Sequence, residues 1–468
     1  MQYSVVNYKT VKENSDFRID ADYFEPRYQK LEKFLFNKKT TELNDFSNFI
    51  KKGIFDISPN SYIEEGGVAF LRSGDLKDEF ISSDEIIQIQ KESHEKEKKT
   101  ELAKNDLLMA KVGTIGDVAI NLRFERLNFS QNVMGVKIKK KYKLVSGFLL
   151  SFLNCSYGRN QVNRVLSGQV QQKLTLKDIK KVKIVNLEDQ IQKLVSKIVY
   201  EAFLLKENSK NIYSQAEQLL ISELGLMDWK PKHKLAFVKN FSATQEAERF
   251  DAEYFQPKYE EIIEAVKKYK GGFDIVKSQF EQNKKSFKKI LDKEYQYIEI
   301  GSVNISDGSM EPMILCGDEL PANAKIKLQK NDVIVSKVRP YRGAIGIVGN
   351  ENYIGSGAFT VLQENGVVNK ETLFVFLRLK PLLDFSLKFN TGTSYPTITD
   401  EDILNFPLPK IDSRIQEEIK KKITEMYETK KLSKFLLEIA KRGVEMAIEK
   451  DEQEAEKWIN SEIKKLGK

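Results

Sequence analysis

The sequence predicts an α+β protein built from two tandem β-rich domains, each followed by a long helix. Three observations support this prediction. The segment "RIDADYFEPRYQKL" returns later in the chain as "RFDAEYFQPKYEEI", short β-branched and aromatic runs lie between turn residues in both halves, and an uninterrupted pattern of apolar residues with a seven-residue period follows the first half.

The repeated segment shows a duplication. Aligning Asp20 with Asp251 gives an offset of 231 residues (251 − 20). The same offset pairs Tyr23 with Tyr254, Phe24 with Phe255, Pro26 with Pro257 and Tyr28 with Tyr259. Two aromatic residues before a proline indicate a staple that folds each domain's first segment onto it, and a docking surface for partner subunits is the alternative.

The correspondence continues along the chain. "LAKNDLLMAKVGTIG" matches "LQKNDVIVSKVRPYRG", which places Lys111 opposite Lys337, and a later match places Ser130 opposite Ser356. The offset falls to 224 (392 − 168) where Gly168 faces Gly392, as small deletions in loops would cause. Because the order is preserved, a tandem duplication covers almost the entire chain.

Within each copy, strand-like runs precede the helix. "GVAFLRS", "DLLMAKV" and "DVAINL" are rich in β-branched and apolar residues and are bounded by Gly, Asn and Asp. This composition is typical of short strands joined by turns.

The first long helix is predicted between Leu187 and Leu224, where neither Gly nor Pro occurs, and Gly225 ends it. Apolar residues recur at every seventh position: Ile191, Ile198, Leu205, Ile212 and Leu219. Mainly small residues lie four positions after the first four of them: Val195, Ala202, Ser209 and Ala216. The second helix begins near Ile415, and we expect Gly443 to interrupt it. Because both copies end in such a helix, we expect the two to pair as an antiparallel coiled coil, although packing of each on its own domain is the alternative.

These elements divide the chain into four parts. We predict a first β-rich domain at residues 1–185, a spacer helix at 186–226, a second β-rich domain at 227–410, and a C-terminal spacer helix with a charged tail at 411–468.

Composition narrows the class of protein. The 468 residues carry a formal net charge of +8, a basic excess compatible with a polyanionic partner. The two cysteines, Cys155 and Cys316, stand far apart, which favours buried free thiols in a reducing compartment. No apolar run approaches the roughly 20 residues of a membrane span, and the N-terminus lacks the features of a signal peptide. We therefore expect a cytoplasmic protein.

Sequence motifs for catalysis are missing. The chain has no Gly-Lys-Ser/Thr and no Pro-Pro, which excludes a P-loop and the Asn/Asp-Pro-Pro-aromatic motif of amino-methyltransferases. The two histidines, His94 and His233, lie in very polar surroundings, and we expect both at the surface. The sequence therefore predicts no catalytic residue, no metal site and no cofactor in this chain.

Tandem β-rich domains, each followed by a long helix and without a catalytic motif, resemble the specificity subunit of type I restriction-modification systems. "KNDLLMAKVGTIG" and "KNDVIVSKVRPYRG" look like two forms of a motif of that family's target-recognition domains. "LTLKDIKKVKI" and "ITDEDILNFPL" are similar to the boundary between such a domain and its helical spacer. The resemblance covers essentially the whole chain.

The resemblance implies a non-catalytic DNA-recognition subunit. Each domain would read one half of a bipartite, asymmetric site, and a helix of about 38 residues, about 57 Å long, would space the readers. Partners would be double-stranded DNA, two methyltransferase subunits that bring S-adenosylmethionine to methylate adenine, and motor-nuclease subunits that use ATP and Mg²⁺ to cleave unmodified DNA.

Basic, amide and hydroxyl side chains on loops are the groups that contact base edges and phosphates. In the first copy the candidates are Arg72, Lys111, Thr114, Gln131, Asn132, Gln169, Gln171 and Gln172. In the second copy they are Lys337, Arg339, Tyr341, Arg342, Ser356, Thr393, Ser394 and Tyr395. We assign the matching lysines, Lys111 and Lys337, to the DNA backbone, and the differing residues after them to the different half-sites.

A different class of function is also compatible with the sequence. A coiled-coil adaptor could use the duplicated domains to bind protein. DNA binding would weaken steeply with salt, whereas the adaptor's binding would be the same at low and high salt.

Overall fold

The computed structural model describes residues 5–13, 18–55, 57–82, 86–166, 174–228, 230, 232–392 and 395–467. The chain divides into two compact units, residues 1–206 with 430–468 (unit 1) and residues 207–429 (unit 2). The mixture of short strands and long helices confirms the predicted α+β class. Among the described residues, no helix is both long and apolar enough to cross a membrane.

The described residues of the first copy form twelve strands and eight α-helices. The strands are β1 (Thr40–Glu42), β2 (Ser47–Lys52), β3 (Tyr62–Ile63), β4 (Val68–Leu71), β5 (Leu76–Lys77), β6 (Phe80–Ile81), β7 (Gln88–Ile89), β8 (Leu107–Ala110), β9 (Val118–Ile120), β10 (Leu127–Phe129), β11 (Val133–Ile138) and β12 (Lys183–Val185). The helices are α1 (Tyr8–Glu13), α2 (Pro26–Phe36), α3 (Leu43–Phe46), α4 (Lys91–Lys96), α5 (Ser146–Asn154), α6 (Ser156–Val165), α7 (Leu176–Lys180) and α8 (Asp189–Glu223). The three predicted strands are confirmed as β4, β8 and β9.

In the second copy, the part of the chain that the structure describes forms ten strands and eight α-helices. The strands are β13 (Phe273–Ile275), β14 (Phe280–Gln282), β15 (Glu294–Ile298), β16 (Met313–Cys316), β17 (Ala324–Lys327), β18 (Val333–Ser336), β19 (Ile345–Ile347), β20 (Tyr353–Ser356), β21 (Phe359–Glu364) and β22 (Pro407–Pro409). The helices are α9 (Phe241–Ala247), α10 (Pro257–Lys267), α11 (Val276–Gln279), α12 (Lys370–Arg378), α13 (Lys380–Ser386), α14 (Asp400–Leu404), α15 (Ser413–Glu449) and α16 (Glu452–Lys465).

The two copies share a sheet topology. The order β2-β11-β8-β9 in unit 1 corresponds to β14-β21-β18-β19 in unit 2. A second sheet in each copy contains a parallel pair, β4 with β10 and β15 with β20. The helices that follow the strands also begin alike, because Thr175 caps α7 by accepting from the Asp178 amide, and Thr399 caps α14 by accepting from the Asp402 amide. The duplication in sequence is therefore a duplication of structure.

Helix α8 starts and ends within two residues of its predicted limits. Gly225, which follows it, has a φ of +69°, a left-handed conformation that glycine adopts without steric cost. Its small-residue positions, including Ala202 and Ala216, are buried, as the heptad pattern predicts.

Helices α8 and α15 are in contact within each unit. In unit 1 the Ser433 hydroxyl of α15 donates to the Ala202 carbonyl of α8 at 2.6 Å. The Glu188 amide, just before α8, donates to Glu452, just after the end of α15, at 2.9 Å, so the chain enters α8 beside the point where it leaves α15. In unit 2 Lys422 Nζ donates to Gln215 Oε1 at 2.8 Å. Knobs-into-holes packing of a coiled coil stays a prediction.

The predicted interruption at Gly443 is wrong, because α15 is continuous from Ser413 to Glu449. A Cβ at Gly443 would lie 2.5 Å from Cδ1 of Ile459, which is fully buried on α16. The close packing of α16 explains the glycine, and it also places part of the expected charged tail in the core of unit 1.

Two further expectations about side chains need correction. His94 is buried, with 1% of its surface exposed, because α4 turns this one side chain inward. There its ring contacts Asn128 through Nδ1, and its Nε2 lies 2.9 Å from Arg126 Nη2 and 3.0 Å from Glu101 Oε2. Both cysteines are free, but only Cys155 is buried, since Cys316 is half-buried at the end of β16.

Candidate nucleic-acid interface

Five predicted residues of the first copy lie together where three strands end, and we call them the first polar edge: Arg72, Lys111, Thr114, Gln131 and Asn132. Arg72 follows β4, Lys111 follows β8, and Gln131 and Asn132 follow β10. The Lys111 amide donates to the Asn132 carbonyl at 2.9 Å, and the amide of Ser130, which begins the same turn, donates to the Leu71 carbonyl at 2.8 Å. Strand pairing therefore brings these loop residues to one place.

Thr114 lies in the turn that joins β8 to β9. Gly113 and Gly116 flank it with φ angles of +81° and +85°, which only glycine adopts readily. The Gly116 amide donates to the Ala110 carbonyl at 2.9 Å and closes the turn. Thr114 is exposed at its tip, where a hydroxyl can reach a phosphate or a base edge.

The equivalent edge of the second copy carries different side chains, and we call Lys337, Arg339, Tyr341, Arg342 and Tyr395 the second polar edge. The Lys337 amide donates to the Ala358 carbonyl at 2.9 Å, the counterpart of the contact between Lys111 and Asn132. The framework is thus the same in both copies. The first edge presents two amide side chains after β10, whereas the second presents two arginines after β18.

Arg339 connects two loops of the second polar edge. Its amide donates to the Pro396 carbonyl at 2.8 Å, and its guanidinium carbon lies 4.7 Å from the centre of the Tyr395 ring. Its φ is +48°, a left-handed conformation that costs free energy for a side chain of this size. Tyr395 is 68% exposed, so its ring is available to a ligand.

A carboxylate lies beside the lysine of the second polar edge. Lys337 Nζ is 3.1 Å from Asp400 Oδ1, and the Thr360 hydroxyl donates to the same oxygen at 2.6 Å. Burial alone would raise the pKa of Asp400, but the hydrogen bonds from Thr360 and Lys337 outweigh it and lower that pKa. Asp400 is therefore ionised at neutral pH and offsets part of the positive charge of this edge.

A buried arginine holds the end of the Arg339–Arg342 segment. Arg378 of α12 donates to the carbonyls of Gly343 at 2.6 Å and Ile305 at 2.7 Å, and to the Tyr213 hydroxyl at 2.7 Å. Burial would lower the pKa of this guanidinium, but its interactions, of which Tyr213's are the largest, raise it. Because the buried Arg378 guanidinium donates to the carbonyl of Gly343, directly after Arg342, it fixes the end of the Arg339–Arg342 segment.

Other predicted residues lie elsewhere. Ser356 is buried, and its Oγ accepts from Asn323 Nδ2 at 2.7 Å and from the Ala358 amide at 3.2 Å, so this hydroxyl stabilises the turn after β20. Gln169, Gln171, Gln172, Thr393 and Ser394 lie outside the described residues. Contact of any of the sixteen residues with DNA stays a prediction.

The sequence interpretation missed two residues at the second edge. Glu299 follows β15 as Arg72 follows β4, is exposed, and could accept a hydrogen bond from cytosine in the major groove. Matching "VAFLRSGDL" with "YQYIEIGSV" sets Gly74 opposite Gly301 and Arg72 opposite Glu299, so the duplication itself could have identified Glu299. Arg378 was detectable as the one basic residue within the apolar run "LFVFLRL".

One group of side chains has the ligand types of a metal site. The ligand atoms of Cys316, Asp318 and Glu319 lie within 4.8 Å of one another. Glu319 Oε2 accepts from the Cys316 amide at 2.9 Å, so the turn after β16 accounts for this arrangement.

Part of the chain matches a known family of DNA specificity domains. Residues 37–218 match the family model "Type I restriction modification DNA specificity domain", a range that runs from before β1 into α8. No curated protein matches the chain significantly.

Two solved structures illustrate the similarity. The type I restriction-modification S subunit from M. genitalium is 12% identical, with a TM-score of 0.40 over 88% of this chain and 95% of that chain. The HsdS subunit from Thermoanaerobacter tengcongensis is 12% identical, with a TM-score of 0.29 over 88% of this chain and 97% of that chain. These TM-scores are too low to establish a shared overall arrangement.

Proposed function

We propose that this chain, whose residues 37–218 match the type I restriction-modification DNA specificity domain, is a non-catalytic DNA-recognition subunit that reads a bipartite, asymmetric DNA site. The first polar edge reads one half of the site and the second polar edge reads the other. Two methyltransferase subunits bind the chain and methylate adenine within the site that it selects.

One observation carries this proposal. The same backbone contact, from Lys111 to Asn132 and from Lys337 to Ala358, builds the same edge in both copies. Different side chains then occupy the loops around it. A protein that binds one ligand twice would keep the side chains, whereas a reader of two different half-sites keeps the framework and changes the side chains.

The chemistry of the edges suits DNA. Lysine and threonine can contact phosphates, glutamine and asparagine can pair with adenine, and arginine can pair with guanine through two parallel hydrogen bonds. Tyr395 offers a ring for packing against sugar or base. The first edge therefore favours adenine-containing and the second guanine-containing half-sites.

The remaining parts of the proposal concern partners. S-adenosylmethionine is bound by the methyltransferase subunits, and ATP and Mg²⁺ by motor-nuclease subunits that cleave unmodified DNA. The two long helices, α8 and α15, act as the spacer between the readers, for which the heptad pattern of α8 and the contacts of the two helices within each unit are the support.

Selection from a library of randomised DNA duplexes tests the proposal. The full chain with its methyltransferase partner is incubated with the library, and bound duplexes are sequenced at low and at moderate salt. We expect a split motif and an affinity that falls steeply with salt, because each neutralised phosphate releases counterions. Binding that selects no motif, or that does not respond to salt, contradicts DNA reading and favours the protein-binding adaptor.

A further inference from the structure

The repeated segment near the start of each copy contains a tyrosine that contacts two cations. In unit 1 the Tyr23 ring centre lies 4.8 Å from the Arg18 guanidinium and 4.3 Å from that of Arg164. In unit 2 the Tyr254 ring centre lies 4.6 Å from the Arg249 guanidinium and 4.6 Å from Lys388 Nζ. Each stack therefore connects the repeated segment to a residue just before a later loop, Arg164 in the first copy and Lys388 in the second.

The two stacks are equivalent by sequence. Arg18 and Arg249 differ by 231 positions (249 − 18), and Arg164 and Lys388 differ by 224 (388 − 164). These are the offsets of the repeated segment and of the later loops, respectively. The duplication therefore preserved both partners of the tyrosine, although one of them changed from arginine to lysine.

An aspartate orients the arginine in each copy. Arg249 Nε donates to Asp251 Oδ2 at 2.7 Å and its Nη2 to Asp251 Oδ1 at 3.0 Å, a bidentate pair, and the Tyr254 amide donates to the same Oδ1 at 3.0 Å. Arg18 and Asp20 form the same pair with both distances at 2.8 Å. The planar guanidinium is thus fixed in direction, which a lysine could not achieve.

The oriented guanidinium reaches the base of a loop. Arg249 Nη2 donates to the Asn390 carbonyl at 3.0 Å, and Arg18 Nη2 donates to the Leu166 carbonyl at 3.1 Å. Asn390 directly precedes Thr391, and Leu166 directly precedes residues 167–173, which lie outside the described residues.

In unit 2 the described residues continue this connection to the second polar edge. Thr391 and Thr397 exchange two backbone hydrogen bonds, at 2.9 and 3.2 Å, which close the loop between them. Within that loop Pro396 accepts from the Arg339 amide, and Tyr395 lies under the Arg339 guanidinium. The chain of contacts therefore runs from Arg249 to Asn390, to the Thr391–Thr397 closure, and to Arg339.

Stability alone does not account for the arrangement. The side chains of Arg249 and Asp251 are 24% and 46% exposed, so water screens much of their attraction, although the bidentate geometry retains part of it. Burial alone would raise the pKa of Asp251, but the hydrogen bond from Arg249 outweighs it and lowers that pKa, so the pair is intact at neutral pH. An exposed pair retained in both copies, with its direction fixed, suits a positioning function.

We propose that Arg249, Asp251 and Tyr254 form a positioning unit for the Thr391–Thr397 loop and hence for Arg339 and Tyr395 of the second polar edge. Arg18, Asp20 and Tyr23 make the equivalent contacts at Leu166 in the first copy. The unit of the second copy acts through the loop and does not touch DNA itself. This inference rests on the proposed reading of two half-sites, and it makes Arg249 a determinant of specificity.

The test compares Arg249→Ala with Arg18→Ala in the selection from randomised duplexes, using the full chain with its methyltransferase partner. Arg249→Ala is expected to lower base discrimination about tenfold in one half of the motif, the half that Arg339→Ala also alters, and to leave the other half unchanged. Arg18→Ala, which removes the equivalent pair from the other copy, is expected to leave the half that Arg249→Ala alters unchanged. Arg414→Ala is the matched control, because that arginine is 92% exposed in the same unit and is expected to change neither half.

The possible outcomes separate this proposal from the one on which it rests. If the unchanged chain selects no motif, the proposed function fails. If it selects a split motif and Arg249→Ala selects the same motif with the same preferences, or loses both halves equally, the positioning unit is overturned, even where the thermal midpoint falls. Should Arg249→Ala not fold, Asp251→Asn keeps the arginine and removes only its orientation, and the same loss of discrimination in one half is expected from it.

Discussion

The guanidinium of Arg339 lies 4.7 Å from the centre of the Tyr395 ring, although the two residues come from different loops of the second copy. The backbone joins the same loops, since Arg339 donates its amide hydrogen to the Pro396 carbonyl. The two loops therefore form one surface. A change in either is expected to alter recognition of the same half-site.

The left-handed conformation of Arg339 gives the first prediction. Its φ of +48° is strained for any residue with a Cβ and relaxed for glycine. Arg339→Ala and Arg339→Gly both remove the side chain and are expected to lose discrimination in the same half of the motif. Arg339→Gly is expected to be about 1 kcal/mol more stable than Arg339→Ala in denaturant unfolding.

This pair of variants separates strain from recognition. If Arg339→Gly is stabilised but keeps the motif unchanged, Arg339 does not read DNA. If both variants are equally stable, the backbone at residue 339 is not strained in the folded protein.

The second prediction concerns Lys111 of the first polar edge. As a phosphate contact, it should contribute equally to every DNA sequence. Lys111→Ala is expected to weaken binding uniformly and to reduce the slope of log K against log salt by about 0.9. Lys104→Ala is the control, because Lys104 precedes β8 at the opposite end of the strand. A sequence-dependent loss at Lys111 would instead assign it to a base.

The third prediction follows from the ion pair between Lys337 and Asp400. The lowered pKa of Asp400 means that its ionised form stabilises the fold above the unfolded-state pKa of about 3.9, and that this stability is lost as pH falls through the lower folded-state pKa. At neutral pH, Asp400→Asn removes a negative charge from the interface and releases Lys337. We expect DNA affinity at low salt to rise about threefold.

Binding titrations at two salt concentrations measure this effect. Glu351→Gln removes the same charge from the turn between β19 and β20, at the far end of the strands, and is expected to change affinity less. Equal gains from both variants would mean that only net charge matters, and that Lys337 does not gain a phosphate contact.

The fourth prediction concerns Arg378 and stability. Arg378→Met leaves the carbonyls of Gly343 and Ile305 without a buried donor, and is expected to destabilise the protein by about 3 kcal/mol. Tyr213→Phe removes one hydrogen bond to the same guanidinium and is expected to cost about 1.5 kcal/mol. Denaturant unfolding measures the loss of stability in both variants. If Arg378→Met destabilises the protein no more than Tyr213→Phe does, the contacts of Arg378 with the Gly343 and Ile305 carbonyls do not stabilise the fold.

Much of the fold was predictable because apolar periodicity and the internal duplication are patterns that many residues share, so single exceptions do not obscure them. The Gly- and Pro-free heptad stretch from Leu187 to Leu224 predicted both ends of α8 to within two residues, and β4, β8 and β9 lie within the apolar runs that predicted them. Single residues were less predictable. The low helix propensity of Gly443 predicted a break, but close packing against Ile459 keeps the helix continuous there. The polar residues around His94 gave no sign that this one side chain of a short helix is buried.

The framework of the candidate site was predictable in part. The matching motifs placed Lys111 and Lys337 at equivalent strand ends, where the structure has them. The contacts of Arg339 with Tyr395, of Lys337 with Asp400, and of Arg249 with Asn390 join residues far apart in sequence. Local patterns cannot reveal such pairs, because only the closure of the sheets and loops brings them together.

The most direct test of the account is methylation mapping at base resolution. Genomic DNA is taken from cells that express this chain with its methyltransferase partner, the partner alone, or the chain with Arg339→Ala and Arg342→Ala together with the partner. The account predicts a split adenine-methylated motif that requires both proteins, and a change in only one half of it with the double variant. If an active, assembled complex produces no such motif, or if the double variant leaves both halves intact, the chain does not read DNA in the way proposed.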